Sequence, residues 1–417
     1  MHRRHQLLNL FFLAFTAMAL VAPSTYMYRN IFYLGIVPAT LWSLWRRDNP
    51  WGPGSAAPLL VVAFVVFLSL NSFATGYATT DAAITHLRWG LQTLLVVLAL
   101  FFVTRFWIRS PVVHGRFFLG VTVVVAVWVL VPYILQGNFG VRLAGEAFLS
   151  HTIEAASVLL ALWTVGFALL VLGGRMQSWD YVLLGVSALC TLVFVVFTQS
   201  RGPLLALAIT FVMALVTLAS PLSRSRVRML LSIGLVLALP AVAVSYYQPT
   251  WFVWLQETML RGTSYRPEIW SAVLSEAGSS WLIGFGSAAE LPNTPVGDVL
   301  RDEVGRAFAH THNLFFETYF SGGIIALTLL LAVLVMALAP FLQFRNRPRL
   351  ALVVATIVAM LVAVHFTDAP RVIGSVRPEW IMFWLPLVLA VQLATAARAG
   401  PEGSVAGEAG GQCRHRR

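Results

Sequence analysis

The sequence contains no lysine and few charged residues of any kind. All 28 basic residues are arginine, and charged residues make up only 11% of the 417 positions. Hydrophobic residues make up 59%, and the mean hydropathy is +0.80. A water-soluble globule of this length needs far more polar surface than this composition supplies. The composition therefore excludes a soluble protein and predicts an all-α, multi-pass membrane protein.

Cysteine is also scarce. Cys190 lies in an apolar run and Cys413 lies in the basic C-terminal tail. Because the two are expected to be separated by much of the membrane, no disulfide is predicted. The net charge of +11 comes from arginines in short clusters between apolar runs. That distribution is typical of orientation signals in membrane proteins and argues against nucleic acid as a partner.

Apolar runs long enough for membrane helices predict about twelve spans. They fall at residues 6–22, 29–45, 57–74, 84–104, 117–136, 152–173, 181–198, 203–219, 229–248, 313–343, 350–367 and 379–397. The pattern divides the chain into spans 1 to 9 (1–248), a long polar segment (249–312), spans 10 to 12 (313–398) and a disordered tail (399–417).

The arginine clusters predict the orientation. Clusters such as Arg3–Arg4, Arg46–Arg47 and Arg224–Arg228 fall on one side of the membrane if the N-terminus is cytoplasmic. Since positive residues accumulate in cytoplasmic loops, both termini are predicted to be cytoplasmic. The long polar segment then lies on the outer side.

That outer segment is expected to be ordered. The stretch from Arg266 to Leu282 predicts an amphipathic helix, with Ile269, Val273 and Leu274 among its apolar positions. The glycines and prolines that follow predict turns before the chain re-enters the bilayer.

The densest polar cluster at the outer boundary is the sequence HTHN, which leads into an apolar run. Thr311 or Asn313 is predicted to cap the helix, which puts His312 in its first turn. There the helix dipole keeps an imidazole neutral, as a general base must be. Glu317 lies further into the span, where a carboxylate tends to face a cavity. We predict His312 as the catalytic base, with Asn313 and Glu317 as secondary residues, whereas His310 is expected to form local hydrogen bonds only.

Two outer arginines are predicted to bind phosphate. Arg201 follows a short polar break and precedes a glycine, and Arg266 stands at the start of the amphipathic helix. A guanidinium group matches two phosphate oxygens at once. The alternatives are a membrane-surface anchor for Arg201 and a surface ion pair with Glu268 for Arg266. Secondary candidates on the outer side are Arg88, Arg142 and Arg377.

No metal or other cofactor is expected. His310 and His312 form a His-x-His pair, but no HExxH motif and no Asp-x-Asp pair on the outer side completes a ligand set. The chemistry is therefore assigned to side chains alone.

Taken together, the turn QSRGP, the outer sequence YRPEIW, the GFG that follows and the ending HTHNLFFETYFSGGIIAL resemble the O-antigen ligase and polymerase superfamily of bacterial envelope glycosyltransferases. The resemblance covers residues 198–326 by motif and the remainder by hydropathy. One large outer loop and a short tail are most similar to the O-antigen ligases.

The resemblance implies a periplasmic active site in the bacterial inner membrane and one large periplasmic loop containing short helices. The implied donor is a glycan linked to undecaprenyl pyrophosphate, and the implied acceptor is the lipid A core. The family's catalytic histidine matches His312, and its two phosphate-binding arginines match Arg201 and Arg266.

Other functions stay open at this stage. An O-antigen polymerase or a protein O-oligosaccharyltransferase belongs to the same superfamily. A transporter or flippase of lipid-linked glycans also fits many spans with basic residues near lipid phosphates. Transporters generally place broken helices and charges at the midplane, whereas the polar residues here collect at one face, which favours an enzyme.

Overall fold

The computed structural model of the protein describes residues 2–219, 265–343, 346–368 and 371–398, apart from residues 23, 47, 50–55, 138, 140 and 175. Those residues form helices and no β-strand. Among them, eight helices are long and apolar enough to cross a membrane. The predicted class, an all-α multi-pass membrane protein, is confirmed.

Helices follow one another closely along both halves of the chain. The N-terminal half contains α1 (His2–Val21), α2 (Thr25–Ile31), α3 (Val37–Trp45), α4 (Ala56–Leu70), α5 (Ser72–Thr75), α6 (Thr80–Arg109), α7 (Pro111–Gln136), α8 (Thr152–Leu172), α9 (Ser178–Phe197) and α10 (Arg201–Ala219). The C-terminal half contains α11 (Arg266–Ser275), α12 (Pro295–Val304), α13 (Leu314–Ala337), α14 (Pro348–Thr367) and α15 (Leu385–Arg398). Single π-helical turns at Phe32–Ile36 and Trp380–Trp384 precede α3 and α15.

Most predicted spans coincide with helices to within a few residues. The predicted span 29–45 is interrupted by the first π-helical turn, where a Cβ on Gly35 would lie 2.6 Å from the ring of Phe11. Two apolar helical stretches are shorter than full membrane spans, namely His5–Val21 within α1 and Ala56–Leu70, which is α4. The predicted span 229–248 and the predicted tail lie outside the described residues, so the total of about twelve spans stays a prediction.

The hydrophobic core is centred on α8. In its most apolar window 94% of the residues are buried, and it packs against α7, α9, α10 and α14. A Cβ on Gly115 of α7 would lie 2.7 Å from the backbone nitrogen of Leu170 in α8. Small residues at such crossings let membrane helices approach closely. The other helices of the bundle therefore surround α8.

The amphipathic helix of the outer segment is shorter than predicted. It ends at Ser275 because the chain turns at Gly278, whose φ is +36°. Ile269 and Val273 are buried as predicted, but Leu274 is 59% exposed. The helix therefore presents a narrower apolar face than the sequence pattern indicates.

A second small core lies under the outer segment. It joins Ile269 of α11 and Leu300 of α12 to Phe285 and Phe320. The prolines Pro292 and Pro295 predict a turn here, and α12 begins at the second of them. Burial of its few apolar side chains against α11 stabilises it in place.

The outer segment is anchored to a break in α13. At Gly323 φ is +62° and ψ is −160°, a conformation essentially restricted to glycine. The break frees backbone groups, and the segment between α11 and α12 binds them. The backbone nitrogen of Phe285 donates to the oxygen of Phe320 at 2.8 Å, and that of Ile324 donates to the oxygen of Trp281 at 2.9 Å. Irregular backbone at membrane depth is stable only where such partners exist.

We expect Gly323→Ala to lower the stability of the protein by about 1–3 kcal/mol. A Cβ there would lie 2.4 Å from the backbone of Leu282, so the anchored segment must move. The measurement is the midpoint of thermal unfolding in detergent. Gly185→Ala is the matched control, because nothing lies within 4 Å of a Cβ at Gly185. An unchanged midpoint for Gly323→Ala would contradict the role of the break.

Candidate functional site

His312 lies immediately before α13, in a turn with a left-handed backbone. The side chain of Asn313 accepts hydrogen bonds from the backbone nitrogens of Phe315 and Phe316 at 2.8 and 3.3 Å. Asn313 is therefore the helix cap, as one of the two predicted alternatives. The prediction that His312 lies in the first helical turn is wrong, because the cap follows it. Its φ of +56° marks a strained position that the surrounding contacts must hold.

The partner of His312 is Asp368, which directly follows α14. The distance from His312 Nδ1 to Asp368 Oδ1 is 2.8 Å. Burial raises the pKa of Asp368, but the hydrogen bond from His312 and the charges of nearby groups, Arg266 among them, outweigh burial and hold this pKa below its usual value. An ionised carboxylate only accepts hydrogen bonds, so Nδ1 carries the proton. In the neutral ring with Nδ1 protonated, Nε2 carries the lone pair, and the histidine side chain is 31% exposed. This arrangement suits a general base.

Glu317 holds the His312 turn against α13. Its Oε2 accepts from the backbone nitrogen and the hydroxyl of Thr311 at 3.0 and 3.1 Å. Its Oε1 lies 3.4 Å from Nε of Arg371. The side chain of Glu317 is buried, so this carboxylate is paired rather than free. Its function in the structure is to fix the turn that carries His312.

His310 lies beside His312. Their ring centroids are 4.0 Å apart, and His310 Nδ1 accepts from the backbone nitrogen of His312 at 3.3 Å. Burial and the neighbouring His312 lower the pKa of His310, although Glu317 and Asp368 oppose this effect. His310 therefore stays neutral near pH 7. It forms the predicted local bond, and it also lines a cleft of about 670 Å³.

Arg201 is the first residue of α10 and follows a tight turn. Gln199 in that turn has a φ of +52°. Arg142 holds the turn, because its guanidinium group donates to the backbone oxygen of Thr198 at 3.0 Å and to the hydroxyl of Ser200 at 2.7 Å. Arg142 thus positions the start of α10, where Arg201 stands.

The start of α10 lies against the end of α14. A Cβ on Gly202 would be 2.3 Å from the hydroxyl of Thr367. Asp368 is the next residue along the chain. The fold therefore brings the helix start that carries Arg201 next to the His312–Asp368 pair.

Arg266 approaches the same pair from α11. Its charge lowers the pKa of Asp368, and its Nε is buried without a hydrogen-bond partner among the described residues. It forms no ion pair with Glu268 in the described structure, the alternative considered from the sequence. Trp270 docks α11 on the His312 turn, because its indole donates to the backbone oxygen of Thr311 at 3.0 Å.

The remaining sequence candidates lie further out. Arg88 is exposed on α6 and does not line the cleft. Arg377 is exposed, lies over the ring of Trp89 at 5.5 Å and lines the cleft with His310. The structure thus brings His312, Asn313, Glu317, Arg201 and Arg266 to one region and leaves Arg88 outside it.

A metal ion is chemically compatible with part of this site. His310, His312 and Asp368 offer ligand atoms that lie within 4.8 Å of one another, and such nitrogen and carboxylate donors suit zinc. The hydrogen bond between His312 and Asp368 explains two of the three donors without an ion. The expectation of metal-free chemistry stays a prediction.

Neither Asp368 nor the role of Arg371 is predicted by the sequence pattern. Asp368 is 56 residues from His312, so no local spacing links them. Arg371 donates to the backbone oxygens of Ser287 and Ala289 and thereby ties the outer segment to Glu317. The sequence feature that could have indicated both residues is a carboxylate and an arginine, Asp368 and Arg371, close together after the apolar run 350–367.

The bundle and the polar site define a multi-pass helical membrane enzyme with its candidate base at one end of the helices. Residues 186–331 match the family model described as O-antigen ligase. A curated protein of Pseudomonas aeruginosa named O-antigen ligase is 27% identical over 372 residues, which cover 87% of this chain and 84% of that protein. Both comparisons confirm the resemblance to O-antigen ligases that the sequence motifs indicate.

Glu317→Gln tests the anchoring of the His312 turn. Loss of the charge leaves the half-buried Arg371 without its carboxylate, and unpaired buried polar groups cost about 1–3 kcal/mol each. We therefore expect a lower midpoint of thermal unfolding in detergent. Glu303→Gln is the control, because Glu303 is exposed on α12. Equal midpoints for both variants would contradict the anchoring role.

Proposed function

We propose that the protein transfers a glycan from undecaprenyl pyrophosphate to the lipid A core oligosaccharide. The observation that carries this proposal is the 2.8 Å contact between His312 Nδ1 and Asp368. It directs the free Nε2 of a partly exposed histidine at an acceptor hydroxyl. The relative from Pseudomonas aeruginosa, whose name is O-antigen ligase, supports the same reaction.

The reaction needs one base and a site for the leaving group. His312 removes the proton of the acceptor hydroxyl, and the oxygen attacks the anomeric carbon of the donor sugar. The bond from that carbon to the pyrophosphate oxygen breaks, and an in-line attack inverts the anomeric configuration. Negative charge that develops on the pyrophosphate is stabilised by Arg201 and Arg266. Asp368 stabilises the imidazolium that forms on His312.

The proposed setting is the periplasmic face of the bacterial inner membrane. The arginine clusters support cytoplasmic termini and an outer position for the segment 249–312. Within this proposal, the described part of that segment covers the site, because α11 docks on the turn that carries His312. The membrane scaffold then consists of the predicted spans 1 to 9, which precede this segment in the sequence, and the predicted spans 10 to 12, which follow it.

We expect His312→Ala to reduce transfer by about 10²–10⁴-fold, the usual contribution of a general base. Asp368→Asn is expected to have a smaller effect on the rate. The measurement is glycan transfer in detergent with lipid-linked glycan and lipid A core.

His151→Ala is the control for that experiment, since His151 is an exposed histidine at the start of α8. The proposal is wrong if both His312→Ala and Arg201→Ala transfer glycan at the wild-type rate. Movement of labelled lipid across liposomes without any product would favour a transporter instead.

Chelation tests the metal-free mechanism. We expect transfer to be unchanged after treatment with a strong chelator, because His312, Asp368 and the arginines supply both the base and the anion stabilisation. Loss of activity that zinc restores would assign His310, His312 and Asp368 as ligands and would overturn this mechanism.

A further inference from the structure

A cleft of about 670 Å³ opens beside the His312–Asp368 pair. It is walled by the start of α6, by the segment before α12, and by the loop that follows α14. The volume is within the range of about 300–1,000 Å³ that is usual for small-ligand sites. The cleft is therefore large enough to hold part of a substrate.

The cleft borders His312 through the neighbouring His310. His310 lines it, and the ring of His310 is 4.0 Å from that of His312. Neither Arg201 nor Arg266 lines it. A molecule in this cleft consequently approaches His312 without occupying the arginine pair assigned to the pyrophosphate.

The wall of the cleft carries two guanidinium groups. Arg371 and Arg377 both line the cleft. The charge of Arg371 is balanced by Glu317 at 3.4 Å. Arg377 is exposed, lies over the ring of Trp89 at 5.5 Å and forms no ion pair within 4.0 Å among the described residues. An exposed guanidinium held over an aromatic ring is suited to bind an anionic group.

The cleft is also lined by two carboxylates, those of Asp81 and Glu290. Glu290 accepts a hydrogen bond from the side-chain amide of Asn293 at 2.9 Å. Carboxylates accept hydrogen bonds from hydroxyl groups. The cleft therefore combines acceptors for hydroxyl groups with one cation for a negative substituent, which is the pattern of an acidic saccharide.

We propose that this cleft binds the acceptor, an oligosaccharide with a phosphate or carboxylate substituent, and that Arg377 recognises the negative substituent. This proposal rests on the proposed glycan transfer and adds the place and the charge of the acceptor. An anionic lipid headgroup carries the same chemistry, so the experiment separates the two sources.

The test compares two acceptors in the full-length protein, the phosphorylated lipid A core and the same core after removal of its phosphates. We expect Arg377→Gln to raise KM for the phosphorylated acceptor about tenfold or more, the effect of losing one charge-assisted hydrogen bond. KM for the dephosphorylated acceptor and KM for the donor should stay within about twofold of the wild-type values. Arg306→Gln is the matched control, because Arg306 is also exposed and also lies 5.5 Å over an aromatic ring, that of Tyr265, but does not line the cleft.

Three outcomes would overturn the proposal. Arg377→Gln could leave KM for the phosphorylated acceptor unchanged, raise KM equally for both acceptors, or change KM for the donor. The assay is also repeated in nanodiscs with and without phosphatidylglycerol. A defect of Arg377→Gln that depends on this lipid and not on the acceptor would assign the cleft to a lipid headgroup.

Binding separates this proposal from the glycan-transfer proposal. The affinity of the phosphorylated core is measured on His312→Ala protein, which retains the cleft and lacks the base. If Arg377→Gln weakens binding of the phosphorylated core about tenfold, the proposal that the cleft binds the acceptor is supported, even if no transfer is found. If the wild-type protein transfers glycan but Arg377→Gln does not weaken binding of the phosphorylated core, the glycan-transfer proposal is supported. The proposal that the cleft binds the acceptor is then rejected.

Discussion

The break in α13 is the constraint on which the outer half of the molecule depends. At Gly323 the helix ends and restarts, and its freed backbone groups cannot be left unpaired near a bilayer. The segment between α11 and α12 supplies the partners through Phe285 and Trp281. A polar loop is thereby fixed on a membrane helix, and the small core beneath it positions α11 next to the turn that carries His312.

A buried polar network in the same region holds the turn that carries His312. Glu317 joins the backbone of Thr311 to Arg371, and Arg371 in turn binds the outer segment at Ser287. Glu317 and Arg371 form an ion pair, and pairing is the condition under which buried charges are tolerated. His312 consequently sits in a strained turn that four separate parts of the chain hold in place. In the proposed role as a base, a preorganised His312 needs little rearrangement before reaction.

The polar groups around His312 fall into two sets. The starts of α10 and α11 bring Arg201 and Arg266 to the end of α14, where Asp368 lies. The cleft lies on the His310 side and carries Arg377. In the proposed reaction, two negatively charged substrates would be bound by different arginines, with His312 between them. The proposed pyrophosphate and acceptor sites would then not compete.

The sequence by itself determined the class of protein, most helix positions, a cap at either Thr311 or Asn313 and the candidate roles of His312, Arg201 and Arg266, because apolar length and polar interruptions are local properties. Only the tertiary structure decided that His312 precedes its helix, that α11 ends at Ser275, and that Glu317 is paired with Arg371. It also supplied Asp368, which no pattern connects to His312. The physical reason is that hydrogen bonds between the ends of different helices depend on how the helices pack around α8, and a packing arrangement leaves no signature in the spacing of residues along a single span.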